Sequence, residues 1–432
     1  MSDLEGGIRI SHTDGGIRSR AAVFFRLILI IPHAIWLALW TLGALIVAPV
    51  HWIGALILGR PADWAHSFYS AYVRYALHVY AYLYLAADRY PGFLGEPGYV
   101  VDAEFPPPAK QRRWTMALRF FIAIPALILA SALSGGFDGA YGSGQDNDAQ
   151  TYWGSAGGLG TTLAFLAWFA SLALARTPTG LRDAQVYCQG YAAQAFGYLL
   201  LLSDRYPTSD PRAIALDPMP PHPVRLRVDK DDRTRNRLTV AFRLILAIPY
   251  LLWLWIWGIA VFFVAIVGWF AALFTGRLPG GLHRFLSAWV RYSTHVYAFI
   301  CIVGDPFPGF AGRPGSYPVE AEIDDPEPQH RAKTGFRVIL AIPAWFVAGG
   351  LGTAAFLAAI GAWFCVLFTG RIPDGLHGLI AWALRYDAQA YSYSLLLTER
   401  YPYSGPDGRG REEPAPAATE PDPTWQAAPE RP

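Results

Sequence analysis

The feature that most constrains this chain is a repeat. FRLILIIP at 25–32 returns as FRLILAIP at 242–249 and FRVILAIP at 336–343, with a looser copy, LRFFIAIP, at 118–125. Each copy sets a Pro six residues after an Arg: Arg26/Pro32, Arg119/Pro125, Arg243/Pro249 and Arg337/Pro343. A second Arg follows in a turn, as Arg60 in GRPADWAH, Arg277 in TGRLPGGLH, Arg371 in TGRIPDGLH and Arg176 in a degenerate ARTPTGLR. The two arginines are 34 residues apart in units one, three and four and 57 apart in unit two, which therefore carries an insertion. A third landmark is VRYALHVYA from Val73, VRYSTHVYA from Val290, LRYDAQAYS from Leu384 and QGYAAQAFG from Gln189. An acid closes each unit: Asp88, Asp204, Asp305 and Glu399. Units one and three carry His78 and His295 where units two and four carry Gln194 and Gln389, so the order is A-B-A-B. The division expected is 1–92 (A1), 93–209 (B1), 210–311 (A2), 312–403 (B2) and a Pro/Ala-rich tail, 404–432, with the composition of a disordered segment.

Between its two arginines each unit is almost wholly apolar. The whole chain is 53% hydrophobic and 16% charged, against about 25% charged in ordinary globular domains, so a membrane protein is expected. A net charge of +2 excludes nucleic-acid binding through a broad basic field. Three isolated cysteines, Cys188, Cys301 and Cys365, exclude a disulfide framework or a CxxC metal site. Few Lys beside many Arg, with abundant Ala, Gly and Pro, reads as a high-GC bacterial chain.

The run 27–59 as one helix would be about 50 Å long, against a hydrocarbon core of about 30 Å. The sequence therefore predicts a hairpin of two short helices turning near Gly43. The Gly/Ser/Asp-rich insertion 134–160 falls midway between the arms of unit two and needs water, which places it at the extracytoplasmic tip. No Lys or Arg lies between the Pro and the turn Arg of any unit, and the positive-inside rule then puts all four hairpin bases, and both termini, on the cytoplasmic side of a bacterial cell membrane. In the third helix, Ser67, Ser70, Arg74 and His78 form one polar stripe, repeated by Arg284, Ser287, Arg291 and His295. Placing Arg74, Arg291 and Arg385 at mid-bilayer would cost roughly 2.5–3.5 kcal/mol each, so these helices are expected at the membrane interface. Alternation predicts strands at 7–11, 99–105, 224–229 and 317–323, basic in A units (Arg9, Arg225, Arg227) and acidic in B units (Asp102, Glu104, Glu320, Glu322). Opposite charge favours A strands pairing with B strands in a small cytoplasmic sheet. The fold class is thus an all-α polytopic membrane protein of four β-α-α-α repeats, with about eight short transmembrane helices and four amphipathic interfacial ones.

Two sets of residues are candidates for a site. The turn arginines Arg60, Arg176, Arg277 and Arg371, each with a basic residue six positions on (His66, Arg182, His283, His377), have the chemistry to cradle lipid phosphates; interfacial anchoring and helix capping are the plainer reading. Arg74, His78, Gln194, Arg291, His295, Arg385 and Gln389 form the polar stripe. His78 and His295 hold equivalent places, so a shared haem or metal is one reading and a hydrogen bond beside the preceding Arg is the other. No nucleophile elbow, phosphate loop or His-rich metal helix is present in the sequence. The closing acids read as partners of a nearby Arg, or as the end of a helix before Pro. No cofactor and no metal are assigned.

The pieces FTGR-x-P-x-GLH at 274–283 and 368–377, the [DE]RYP ending and the paired apolar arms resemble an uncharacterised bacterial membrane family, domain of unknown function 4389. The resemblance is fullest in units three and four; unit one reads ILGR, and unit two keeps only Arg176 and Gly180–Leu181 of that motif. It implies a multi-pass membrane protein and carries over no catalytic residue. The function expected is a non-enzymatic membrane protein that organises lipid, anionic lipid included, or a membrane-protein partner. A channel or transporter of four like-oriented units is the alternative, and a His-ligated haem or metal protein the second.

Overall fold

The structure is a computed structural model in which residues 7–13, 19–135, 158–214, 216 and 218–407 are described. Unit A1 runs from strand β1 (Arg9–His12) through one-turn helices α1 (Arg20–Phe24) and α2 (Arg26–Leu29) into α3 (Ile31–Leu58) and back along α4 (Asp63–Leu83). Unit B1 comprises β2 (Val101–Glu104), α5 (Arg113–Ala117), α6 (Arg119–Ser134), α7 (Gly158–Leu174) and α8 (Thr179–Leu199). A2 is β3 (Val224–Val228), α9 (Arg237–Ala241), α10 (Arg243–Thr275) and α11 (Gly280–Ile300). B2 is β4 (Val319–Ile323), α12 (Arg331–Gly335), α13 (Arg337–Thr369) and α14 (Asp374–Ser394).

The hairpins are not formed. α10 and α13 are unbroken for 33 residues each, and Arg26–Leu58 is helical over the same length. Nothing at Gly43 breaks the helix, because a lone Gly in an apolar run weakens a helix without ending it. Pro249 and Pro343 sit within the first two turns of α10 and α13, where few intrahelical donors are lost, and α3 runs on through Pro49 in its interior. Each long helix stops at a Gly in the left-handed conformation, Gly59, Gly276 and Gly370, which receives φ between 73° and 77° at no side-chain cost.

Unit two shows what the insertion does. α6 has 16 residues and α7 has 17, together the length of its sister helices. α6 ends at Gly135, and a Cβ on Gly158 would stand 2.8 Å from the Gly135 backbone. Both pieces pack along α13. The insertion therefore leaves and rejoins at the middle of one interrupted helix, not at the tip of a hairpin; residues 136–157 themselves lie outside the described residues.

The third helices are core elements instead of interfacial ones. α4 folds back along α3: Tyr75 Oη pairs with His33 Nδ1 at 2.7 Å, Thr41 Oγ1 with Tyr72 Oη at 2.9 Å, and Tyr69 Oη donates to Ala44 O at 2.7 Å. α8 is buried along nearly its whole length. Within each A/B pair the units are antiparallel. Arg113 Nη2, at the start of B1, donates to Ile57 O at the end of α3, and Arg20 Nη2, at the start of A1, donates to Ala173 O at the end of α7. Arg237 Nη2 does the same for Phe368 O.

As charge predicts, A strands pair with B strands: Arg9 stands opposite Glu104, Arg225 opposite Glu322 and Arg227 opposite Glu320. Among the described residues the result is two antiparallel pairs, β1-β2 and β3-β4, instead of one sheet. The first straddles α4 and α8, since Asp102 of β2 meets α4 while Ile10 of β1 packs on Gly190 of α8. Packing then runs A1–B1–B2–A2, with α13 lying on α6 and α7 at the centre. Residues Tyr403–Asp407 are part of this fold: Tyr403 Oη donates to Asp183 at 2.9 Å, and Ser404 lies against Gly180. The remainder of the expected disordered tail, 408–432, lies outside the described residues.

Candidate functional site

The opening Arg of each long helix is fully buried and clamps the far end of its own unit. Arg26 Nη1 donates to Tyr82 O (2.6 Å) and Ala87 O (3.3 Å); Arg243 Nη1 donates to Phe299 O (2.8 Å) and Gly304 O (3.1 Å). Arg119 reaches Ser203 O at 2.9 Å and Arg337 reaches Thr398 O at 3.3 Å. Each guanidinium also lies over an aromatic ring, Tyr82, Tyr198, Phe299 or Tyr393, at 4.1–4.6 Å, an arrangement suited to a planar cation. The closing acids follow as read from the sequence in three units: Asp204 and Asp305 stand 2.9 and 3.1 Å from Arg119 and Arg243, and Asp88 is 4.0 Å from Arg26. Glu399 instead pairs with Lys333 at 3.7 Å and accepts from His330 N.

The carbonyls that the clamp holds come from a strained turn. Leu85, Leu201, Ile302 and Leu396 occupy equivalent positions just past the third helices and have φ of 61–67°. Left-handed backbone costs a non-Gly residue roughly 1–2 kcal/mol. All four side chains are buried, so core packing holds a conformation that Gly would adopt freely.

A second constellation lies in the A units. His78 Nε2 is 3.2 Å and Arg74 Nε 3.3 Å from the same Asp102 oxygen, and Gly98 N and Ala103 N donate to that carboxylate at 2.6 and 2.8 Å. Burial pushes Asp102 up, but the bonds from His78, Gly98 and Ala103 outweigh it and hold the carboxyl below its ordinary value. Tyr99 lies against the His78 ring at 4.5 Å. A2 repeats the set: His295 Nε2 to Glu320 at 3.0 Å, Arg291 Nε to Glu320 at 3.5 Å, and Tyr317 stacked on His295 at 4.9 Å. The plainer sequence reading of the histidines, a hydrogen bond beside Arg, describes them. Their acid is contributed by the strand of the next unit, which spacing within one helix does not reveal. The two histidines face separate strand pairs from α4 and α11, in the outer units of the row, and among the described residues no group of three or more His, Cys, Asp or Glu is placed to hold a metal.

In the B units, Gln194 Oε1 accepts from Thr208 N at 3.0 Å. Gln389 bridges Tyr403 N and Val224 O, both at 3.0 Å, and Arg385 pairs with Asp407 at 2.7 Å. These side chains fasten the chain segment that follows their own helix, and Gln389 ties it to β3 as well. The stripe Arg74, His78, Gln194, Arg291, His295, Arg385 and Gln389 thus points into the fold.

The turn residues separate. Arg60, Arg176, Arg277 and Arg371 are exposed, whereas His66, Arg182, His283 and His377 are buried. Arg60 pairs with Asp63 at 3.0 Å. Arg182 pairs with Asp183 at 3.2 Å. His377 accepts from Arg233 at 2.7 Å; burial, then Arg233, push its imidazole down to about 4. The exposed arginines instead mark the ends of the long helices, beside Lys110, Arg112 and Arg113 at one end of the first pair and Arg20 at the other.

Along the long helices the solvent side is apolar. α13 exposes Trp345, Phe346, Phe356, Ile360, Phe364 and Phe368, and α3 exposes Leu39, Leu42, Leu45, Ile46, Val50, Ile53 and Ile57. At 100° per residue the exposed apolar residues, Trp36, Leu58 and Leu340 included, cover more than half of each helix, and a narrower face packs on the third helix. Arg26–Leu58, Arg243–Thr275 and Arg337–Thr369 are long and apolar enough to cross a membrane.

Fold and surface together define a duplicated, mostly helical protein of the membrane class. The chain belongs to the family of domain of unknown function DUF4389, whose family model matches residues 20–95, 237–311 and 331–404, just over half of its length. Unit A1 is matched despite its missing FTG, and B1, interrupted by the insertion, falls between matches. No curated protein and no solved structure matches the chain.

Proposed function

We propose that the protein is a non-enzymatic, lipid-organising scaffold whose long helices lie along the plane of one membrane leaflet. The observation that carries this reading is the point at which the insertion leaves. Were α6 and α7 a single upright crossing, the Gly/Ser/Asp-rich segment 136–157 would emerge at mid-bilayer, where its backbone has no water to bond. A helix in the plane lets it depart at headgroup depth.

Two further features agree. Antiparallel pairing gives both ends of each A/B pair a basic collar, so charge along the helix axis has no inside and outside. The strand pairs straddle the third helices within the length of the long ones, and Arg225, Arg227, Glu322 and Asp324 are 42–50% exposed. Upright helices would hold those charges in hydrocarbon. In-plane helices give the layers one sense: apolar long helices in lipid, third helices between, charged strands in water. The collar arginines then stand beside phosphates, where anionic lipid is favoured by about 1 kcal/mol per basic residue. The row A1–B1–B2–A2 leaves no centre that four units surround, and the channel reading gains nothing from it. This reading replaces the eight crossings.

The test is the sidedness and depth of α10. Cysteines placed at Arg237 and Arg277 in protein reconstituted into sealed vesicles are expected to react with an impermeant maleimide from the same side. Spin labels at Trp253, Phe263 and Phe274 should report one shallow depth, about 5–10 Å below the headgroup boundary. Labelling of the two ends from opposite sides, with Phe263 at the bilayer centre, would overturn the in-plane arrangement.

A further inference from the structure

The two A/B pairs are not chemically equivalent where their third helices meet. In A1/B1 the groove between α4 and α8, on the side away from the strands, is a small apolar cavity lined by residues that include Ala76, Ala192, Tyr80 and Phe196. The repeat aligns Ala76 and Ala192 with Ser293 and Asp387 in A2/B2. Asp387 is two residues from both Arg385 and Gln389, hence about 200° round α14 from either. It therefore faces away from the strand that Gln389 binds.

Asp387 is only partly exposed, and among the described residues its carboxylate has neither a hydrogen-bond nor an ion-pair partner. Tyr297, Cys301 and Tyr391 lie near enough to feel its charge. Burial alone pushes this carboxyl up, to about 7, with no cation near enough to offset it. Tyr391 is packed edge-on between Trp289 and Trp345 at 5.2 and 4.9 Å, and the buried Trp289 Nε1 is itself without a partner. Alanine at the equivalent positions shows that the fold does not need an acid here. A lone carboxylate beside clustered aromatic rings has the chemistry of an ammonium site, since ring faces attract cations and the acid neutralises the charge.

We propose that the contact between α11 and α14 binds an alkylammonium group through the partly exposed Asp387, with Tyr297, Tyr391 and the flanking tryptophans as its aromatic wall. The ammonium comes either from a lipid headgroup or from a soluble amine; the lipid source rests on the in-plane reading.

The full chain in non-ionic detergent is titrated by calorimetry with short-chain phosphatidylethanolamine, phosphatidylglycerol of the same chain length, and ethylammonium chloride. Phosphatidylethanolamine is expected to bind about tenfold or more tighter than phosphatidylglycerol, and Asp387→Asn to reduce it to the phosphatidylglycerol level. Asp387→Ala, which installs the side chain found in A1 and B1, should give the same loss with an unchanged circular-dichroism spectrum and serves if Asp387→Asn misfolds. Ethylammonium binding that is lost in both variants assigns the site to soluble amines, while phosphatidylethanolamine binding without it assigns the site to lipid. Equal binding of the two lipids without ethylammonium binding, or undiminished binding in both variants, overturns the proposal. Vesicle flotation separates the two readings: protein that does not float yet binds ethylammonium sinks the in-plane arrangement alone.

Discussion

At the scale of single residues, the repeat keeps chemistry where geometry is most demanding. Ile302 is the sharpest case, being β-branched and left-handed at once. An ordinary buried Ile loses about 2–5 kcal/mol on truncation to Ala, and Gly in place of Ala usually costs more still. Here the order should invert. Both substitutions remove the same buried side chain, but Gly also relieves the left-handed backbone, worth roughly 1–2 kcal/mol. Denaturant melts are expected to rank Ile302→Gly above Ile302→Ala by about 1 kcal/mol; the reverse order would show that the turn relaxes on mutation.

Two acids carry opposite pH signatures. Asp102 is held below its ordinary value, so its stabilisation is present above the unfolded value near 3.8 and is lost as pH falls through the lower folded one. Asp387 is held up, at about 7. The folded state then binds a proton that the unfolded state has released, so between about pH 4 and 7 stability falls as pH rises. Thermal midpoints from pH 5 to 8 should decline in the parent and decline less in Asp387→Ala. Equal slopes would mean that Asp387 titrates normally.

At the scale of elements, the insertion is the informative accident. If α6 and α7 are one interrupted helix, deletion of Gly135–Gly157 should fuse them into an uninterrupted 33-residue helix like α10 and α13. The fused protein is expected to remain folded and at least as stable, since closing a loop of that length carries an entropic cost that the deletion removes. Loss of folding in that variant, read by circular dichroism and size exclusion, would show that the two pieces are not collinear. Much of this scale was legible. The closing acids were legible as partners of a nearby Arg, though not of which one, and charge on Arg225, Arg227, Glu320 and Glu322 announced which strands meet. The hairpin was misread because bilayer thickness served as a ruler for a helix that the structure leaves unbroken. The His78–Asp102 and His295–Glu320 pairs were hidden for another reason: each joins a helix to the strand of the following unit, and no periodicity within an element records that.

At the scale of the whole molecule, the two B units hold the halves together by exchanging ends. Gly375 and Gly378, at the start of α14, fit against Ser209 and Asp210, where B1 passes into A2, and Tyr187 Oη donates to Ser209 O at 2.7 Å. In return Gly180, at the start of α8, fits against Ser404, and Tyr403 Oη reaches the buried Asp183. A Cβ at Gly375 would stand 3.0 Å from Asp210 N and one at Gly180 3.1 Å from Ser404 N, so both approaches are close backbone contacts that glycine eases. The closing segment Tyr403–Asp407 is therefore part of the joint between halves, although its sequence reads as the beginning of a tail. A stop after Asp407 is expected to leave the thermal midpoint unchanged. A stop after Pro402 removes the phenol from Asp183, the backbone partner of Gln389 and the carboxylate of Arg385, each left buried with a bond unmade at about 1–3 kcal/mol. The shorter chain should melt several degrees earlier, and a limited protease should cut first between the halves. An unchanged midpoint after removal of Tyr403–Asp407 would mean that α13 against α6 and α7 carries the joint by apolar packing alone.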